Sequence, residues 1–102
     1  MKPIVSVKIG RLALKNPVMV ASGTFGYGEE FKDLCDLKKL GAIVTKTITI
    51  DPRQGNPVPR TCETPAGMIN SIGLENPGIE KFLSEKLPMV KKFGVPVIVS
   101  IA

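Results

Sequence analysis

The stretch Asn70-Ser71-Ile72-Gly73-Leu74-Glu75-Asn76-Pro77-Gly78 concentrates the residue types best suited to chemistry. Asn70 and Ser71 carry compact donors and acceptors that can read a flat polar ligand. They are also ordinary turn residues and can cap turns with no ligand involved. Lys46 is the second candidate. It ends the apolar run that starts at Ala42, within Thr45-Lys46-Thr47. A lysine there either discourages sheet pairing at an edge or aims a cation into a site. Ser22-Gly23-Thr24-Phe25-Gly26-Tyr27-Gly28 is the third. Its glycines permit close backbone approach to a ligand, or a tight turn, and it is not a GxGxxG fingerprint. Histidine is absent, which removes Ser-His-Asp and Cys-His catalysis and histidine metal sites from this chain. Cys35 and Cys62 have no metal-ligand spacing. Cys35 reads as core packing, and Cys62 has no base beside it in sequence.

The elements that must position these residues follow from periodicity. Val5, Val7 and Ile9 alternate with polar residues, Gly10-Arg11 is a plausible turn, and Leu12 and Leu14 continue the alternation, which predicts a small hairpin broken by Asn16-Pro17. Val18–Ala21 reads as a short buried parallel strand. Residues 29–40 predict an amphipathic helix with Phe31, Leu34, Cys35 and Leu37 on its apolar face and Gly41 as its C-terminal cap. Residues 42–49 predict a second core strand. Residues 50–75 carry no clear period, and Pro52, Pro57, Pro59 and Pro65 argue against a central strand. Their apolar members Met68, Ile69 and Leu74 predict a segment folded over the carboxyl ends of the strands. Asn76 is expected as an N-cap with Pro77 at the first helical position. The helix then runs over 77–93 on Ile79, Phe82, Leu83, Leu87 and Val90, kinked or split at Pro88 and ended by Gly94. Residues 95–102 predict a third buried strand.

Strand, helix, glycine, strand recurs, as in parallel βα units. In such folds ligands sit at the carboxyl ends of the strands, where Ser22-Gly23, Lys46-Thr47 and the 50–75 segment all fall. That shared position favours a ligand with an anionic or electron-rich edge near Lys46. Three strands cannot close an eight-stranded barrel of typically about 250 residues. The expectation is the N-terminal part of a larger α/β protein, ending after the third core strand.

Composition bounds the class. The 102 residues allow one small domain, with 43% hydrophobic and 23% charged residues placing it among globular chains. Fourteen basic against nine acidic residues give a net charge of +5. Most lysines fall beside acids in the two expected helices, which fits a solvated face better than a nucleic-acid groove. Few aromatics and no Trp argue against a platform for stacking bases. No apolar run reaches the roughly 18 residues of a membrane span, and the N-terminus lacks a signal-peptide core, which favours the cytoplasm.

Four segments together carry a family resemblance: Asn16-Pro-Val-Met-Val-Ala-Ser-Gly-Thr-Phe-Gly, Val44-Thr-Lys-Thr, Gly55-Asn-Pro-Val-Pro-Arg and Glu63-Thr-Pro-Ala-Gly-Met-Ile-Asn-Ser-Ile-Gly-Leu. Over essentially its whole length the chain resembles the dihydroorotate dehydrogenases, in the class 1B form more than the fumarate-using class 1A. The resemblance implies an FMN-binding (β/α)8 TIM barrel with a short N-terminal hairpin at its bottom, of which residues 1–102 would be the N-terminal portion. It implies oxidation of dihydroorotate to orotate in pyrimidine (UMP) biosynthesis, with electrons passed to NAD through a partner subunit carrying FAD and a 2Fe-2S cluster in a heterotetramer. Ala21, Ser22, Gly23, Lys46 and Thr47 would line FMN. Lys46 and Asn70, Ser71, Ile72, Gly73 and Leu74 would hold the pyrimidine. A hydride passed to the flavin leaves negative charge that a fixed cation stabilises, and Asn70 suits the imide-like edge of orotate. The family's proton-abstracting cysteine lies on a later lid loop, so no catalytic residue is expected here. The other readings are the flavin domain of a dihydropyrimidine dehydrogenase, and a truncated chain with no activity.

Overall fold

The computed structural model describes residues 1–102. The N-terminal hairpin forms as expected: β1 (Val7–Ile9) pairs antiparallel with β2 (Leu12–Leu14), Ile9 opposite Leu12 and Val7 opposite Leu14. Gly10 turns it with a φ of 58°, a conformation that costs glycine little. Of its residues only Leu14 is buried.

A three-stranded parallel sheet follows, in the order β3 (Met19–Val20), β4 (Ala42–Val44), β7 (Val97–Ile98). Ala42 and Ile43 are successive and both fully buried, so β4 is covered on both faces at that level. The flanking strands are not: Met19 is exposed, and Val97 and Ile98 are half-buried. The expectation of three buried strands holds for the central one alone.

The core lies between this sheet and the helical segment 79–91. Tyr27, Ile43, Ile48, Phe82, Val90 and Val95 form one cluster. Burying a side chain the size of Phe82 stabilises by roughly 1.5–3 kcal/mol. The segment is continuous but not uniform: α1 (Ile79–Lys81), a π-type turn (Phe82–Lys86), then α2 (Leu87–Lys91). The Leu87 N–H donates to Phe82 O, a five-residue step. Pro88 has no N–H to give and its ring crowds the carbonyl four residues back. Widening the turn ahead of it relieves both, which is the predicted split. Leu83, expected on the apolar face, is exposed.

The helix begins later than expected. Gly78 has a φ of 82°, so the chain is not yet helical there and Pro77 is not the first helical residue. Asn76 does not cap the helix. Its side chain makes a short turn with Gly78 N instead.

The helix expected over 29–40 does not form. Two 3-10 turns, Glu29–Phe31 and Leu37–Lys39, stand in its place. Asp36 is extended and its carboxylate accepts from Lys38 N, a local bond that competes with helix formation. Leu34 is 79% exposed and Cys35 is exposed, so Cys35 is not core packing. Leu37 alone of that predicted face is well buried. Gly41 is not a helix cap either. A Cβ there would meet Asn16 O at 2.1 Å, and Gly41 N donates to Val18 O, so the glycine permits close approach of the chain entering β3.

Residues 50–75, in which no strand was expected, contain a second hairpin whose strands hold no proline: β5 (Thr61–Thr64) pairs antiparallel with β6 (Gly67–Asn70). All eight residues are exposed. Two projecting hairpins make the chain elongated, with a radius of gyration of 15.5 Å against about 13 Å for a compact chain of this length.

Candidate functional site at the carboxyl edge of the sheet

Each parallel strand ends in a polar residue, and the three meet. Ser22 follows β3, Thr47 follows β4 and Ser100 follows β7. Ser22 Oγ lies 3.2 Å from Thr47 Oγ1, which lies 2.8 Å from Ser100 Oγ. This row of hydroxyls crosses the sheet at its carboxyl edge. Ser100 was not singled out from the sequence. The signal was present, since it is the polar residue ending the third apolar run, as Ser22 ends the first.

A bulge aims the middle of the row. Ile43 N donates to Pro96 O and Thr45 N to Ile98 O, in regular register, and then Ile48 N donates to Ser100 O. Three steps along the β4 chain thus match two along the β7 chain. The extra residue falls between Thr45 and Ile48, at Lys46-Thr47. Bulges of this kind re-aim side chains and recur beside active sites. Lys46 N donates to Gly26 O at 3.2 Å, tying the bulge to the loop after β3. That loop carries Ala21, which is exposed, and Gly23, whose φ is 79° and whose Cα faces open space.

Lys46 is half-buried and lines a cleft of about 440 Å³ with Tyr27, Arg53, Glu75 and Asn76. No carboxylate lies within ion-pairing distance of it, because the one ion pair in the chain joins Arg60 to Glu75. Its charge is therefore not neutralised locally. Tyr27, which also lines the cleft, buries its hydroxyl without a hydrogen-bond partner. Burial first, and the Glu30 carboxylate second, push its pKa above the usual tyrosine value.

The segment from 50 to 76 leaves the sheet at the same edge and is zipped from its neck outwards. Asn76 closes the neck. Its Oδ1 accepts from Thr49 N at 3.2 Å and Gly78 N at 2.9 Å, and its Nδ2 donates to Leu74 O and Thr49 Oγ1. Arg53 and Asn76 exchange backbone hydrogen bonds at 3.0 Å. Asn56 N donates to Ile72 O, Ser71 N donates to Arg60 O, and the β5–β6 hairpin forms the tip. The Arg60–Glu75 ion pair, 2.6 Å, flanks this ladder. Both partners are partly exposed, so it contributes no more than about 1 kcal/mol.

The structure brings Ser22, Gly23, Lys46 and Thr47 to one edge. It places Asn70–Leu74 between the neck and the tip of the zipped segment, with no hydrogen bond to those residues. Met68, Ile69 and Leu74 were expected to be buried there. They are not: Met68 is 62% and Ile69 64% exposed, because the tip projects past the sheet instead of lying on it. Cys62 pairs with Ile69 and Thr61 with Asn70. Neighbouring pairs face opposite ways across a sheet, so Cys62 is turned away from the face that carries Asn70.

No helix is long and apolar enough to cross a membrane, and no group of His, Cys, Asp and Glu is placed to hold a metal ion. A family model described as Dihydroorotate dehydrogenase matches residues 4–102. The chain is 56% identical over 100 residues to a protein of Geotalea uraniireducens, and 58% identical over 98 residues to one of Thermodesulfovibrio yellowstonii. Both are named "Dihydroorotate dehydrogenase B (NAD(+)), catalytic subunit". These matches cover 98% and 96% of this chain but 33% and 32% of the relatives, so the chain spans about a third of their length. Among solved structures it is similar to the DHODH of Eimeria tenella in complex with ferulenol, with a TM-score of 0.67 and 25% identity, over 98% of this chain and 28% of that one. By its sequence and by the arrangement of its sheet, the chain belongs to the dihydroorotate dehydrogenase family.

Proposed function

We propose that residues 1–102 form the N-terminal third of an FMN-dependent dihydroorotate dehydrogenase of type B, a (β/α)8 barrel that oxidises dihydroorotate to orotate in the cytoplasm. The carrying observation is the meeting of Ser22, Thr47 and an unpaired Lys46 at the carboxyl edge of a parallel sheet. The residues fit a flavin. Three hydroxyls offer donors and acceptors to its polar edge, Gly23 leaves the space a Cβ would fill, and Lys46 supplies a cation. Bound there, FMN supplies the acceptor for a hydride. Lys46 sets a fixed positive charge where negative charge develops, the kind of preorganised electrostatics that lowers barriers most. Ser22, Thr47 and Ser100 fix the orientation of whatever rests on the edge. Asn70 presents an amide, with donor and acceptor side by side, to the imide-like edge of the pyrimidine, and the Ser71–Leu74 backbone completes that contact. The proton-abstracting cysteine is contributed from outside these residues. The relatives' names support this reading over a dihydropyrimidine dehydrogenase, and their designation as NAD(+) catalytic subunits supports a separate electron-transfer partner; that partner would carry FAD and a 2Fe-2S cluster in a heterotetramer.

The test is anaerobic addition of dihydroorotate to the full-length protein. The yellow absorbance should bleach and orotate should form. A full-length protein that binds no flavin, or whose flavin stays oxidised, refutes the proposal. Residues 1–102 alone should neither retain stoichiometric FMN nor form orotate.

A further inference from the structure

Asn56 lies on the inner strand of the zipped segment, opposite the residues that would read the pyrimidine. Its Nδ2 sits 3.0 Å from Ser71 O and 2.9 Å from Ser71 Oγ, and its backbone N donates to Ile72 O at 2.9 Å. The orientation of the carboxamide follows from the first contact. A backbone carbonyl can only accept, so the atom facing it is the amide nitrogen. That nitrogen has no lone pair to offer, so in the second contact it must donate and Ser71 Oγ must accept. The hydroxyl proton of Ser71 is therefore excluded from this bond. It has no other acceptor within the chain, so it points away from Asn56.

The surrounding backbone holds the pair in place. A Cβ on Gly73 would come within 2.9 Å of the Asn56 backbone N, and one on Gly55 within 2.4 Å of Ile72 O. The two chain segments thus touch where only glycine fits. Leu74, next along, holds a φ of 56°, a left-handed conformation that crowds its Cβ against the following carbonyl. Asn76 Nδ2 stabilises it by donating to Leu74 O.

We infer that Asn56 is a positioning residue that fixes Ser71 as a hydrogen-bond donor to an acceptor oxygen, carboxylate or ring carbonyl, of the planar substrate. This rests on the dihydroorotate reading above. The clasp selects for ligands that present oxygen at that point and against those that present N–H. It acts through the direction of one proton, so it is separable from a merely structural role.

The experiment uses full-length enzyme with dihydroorotate, measuring kcat and KM for wild type, Asn56→Ala, Asn56→Asp, Ser71→Ala and the Asn56→Asp/Ser71→Ala double variant. Asp is the same size as Asn but only accepts, so it draws the Ser71 proton to itself. Asn56→Asp should raise KM about tenfold, as Ser71→Ala does, with kcat within threefold, since one hydrogen bond is worth roughly 3- to 10-fold in binding. Asn56→Ala leaves the hydroxyl free to rotate and should raise KM only about threefold. In the Asp background, Ser71→Ala should change nothing further. Asn56→Asp also sets an acceptor against the Ser71 carbonyl, so a purely structural Asn56 predicts a defect in the Asp variant that Ser71→Ala deepens, and that outcome overturns the inference. So does a KM within twofold of wild type in Asn56→Asp, or additive effects in the double variant. Should Asn56→Ala not fold, the Asp variants decide alone. A wild type that cannot oxidise dihydroorotate refutes the functional reading itself, whereas an active wild type with unaffected variants refutes only the clasp.

Discussion

The sheet edge and the zipped segment beyond it present the candidate site residues by opposite means. At the edge, Ser22, Thr47 and Lys46 are carried on strands anchored by Ile43, Ile48, Phe82 and Val90, which are almost fully buried. Beyond it, Asn70–Leu74 ride on a segment whose hairpin has no buried residue and which is held by backbone pairs and the carboxamides of Asn56 and Asn76. Apolar burial is non-directional and tolerant of detail. Hydrogen bonds are directional and fail one at a time. The first region should therefore lose function before stability when its polar residues change, and the second should lose shape.

Lys46→Ala sharpens the contrast most. In the full-length enzyme it should slow reduction of the flavin by dihydroorotate by ~10²–10³, the typical effect of removing one such electrostatic contact, with little change in thermal stability. Stopped-flow rates within twofold of wild type would remove Lys46 from the reaction. Asn76→Ala probes the neck. It leaves the buried Gly78 N and the partly buried Thr49 N without acceptors, at about 1–3 kcal/mol for a fully buried group and less for the other, so denaturant unfolding should show a loss of about 2–4 kcal/mol. Asn76→Asp retains both acceptances and should lose less. If Ala and Asp are equally tolerated, the neck is not held by this side chain.

Tyr27→Phe addresses the core beneath the sheet edge. Removing a buried hydroxyl that has no partner should raise stability by about 1 kcal/mol, read as an increase in Tm. The folded state raises the Tyr27 pKa, so it holds the proton more tightly than the unfolded chain. The stability this contributes is complete below the ordinary tyrosine value of about 10 and is lost as pH rises past it. Wild type should weaken at alkaline pH more than Tyr27→Phe does, and equal pH profiles would contradict this. The smallest effect belongs to the tip. Met68→Ser in residues 1–102 should change stability by less than about 0.5 kcal/mol, as expected for an exposed position. A loss above 1 kcal/mol by denaturant titration would show that the hairpin is packed in solution.

The same division decides what could be read from the sequence. Alternation over 5–14 and the apolar runs at 18–21, 42–49 and 95–102 are burial signals, and they reveal the first hairpin, the three parallel strands and the position of Ser22, Lys46 and Thr47. The bulge at Lys46-Thr47 has no such signal, because it is a mismatch between two strands distant in sequence. Residues 29–40 have helical spacing, but one local bond from Asp36 and few buried neighbours outweigh it. Residues 61–70 lack alternation because neither face is buried in this chain, so pairing there comes from the closing of the neck. The part played by Asn56 depends on a partner fifteen residues away, which no local pattern marks.

Ser22, Thr47 and Ser100 form a row in which every oxygen can act as donor or acceptor. Turning the O–H bonds about their C–O axes reverses the polarity of the whole row while the oxygens and carbons stay in place. Two arrangements of protons therefore share one arrangement of heavy atoms. The edge can offer a lone pair at one end and a proton at the other, or the converse, and exchanging the two requires only hydroxyl rotation, on the picosecond to nanosecond scale of side-chain motion. A rigid sheet edge thereby gains a reversible sign.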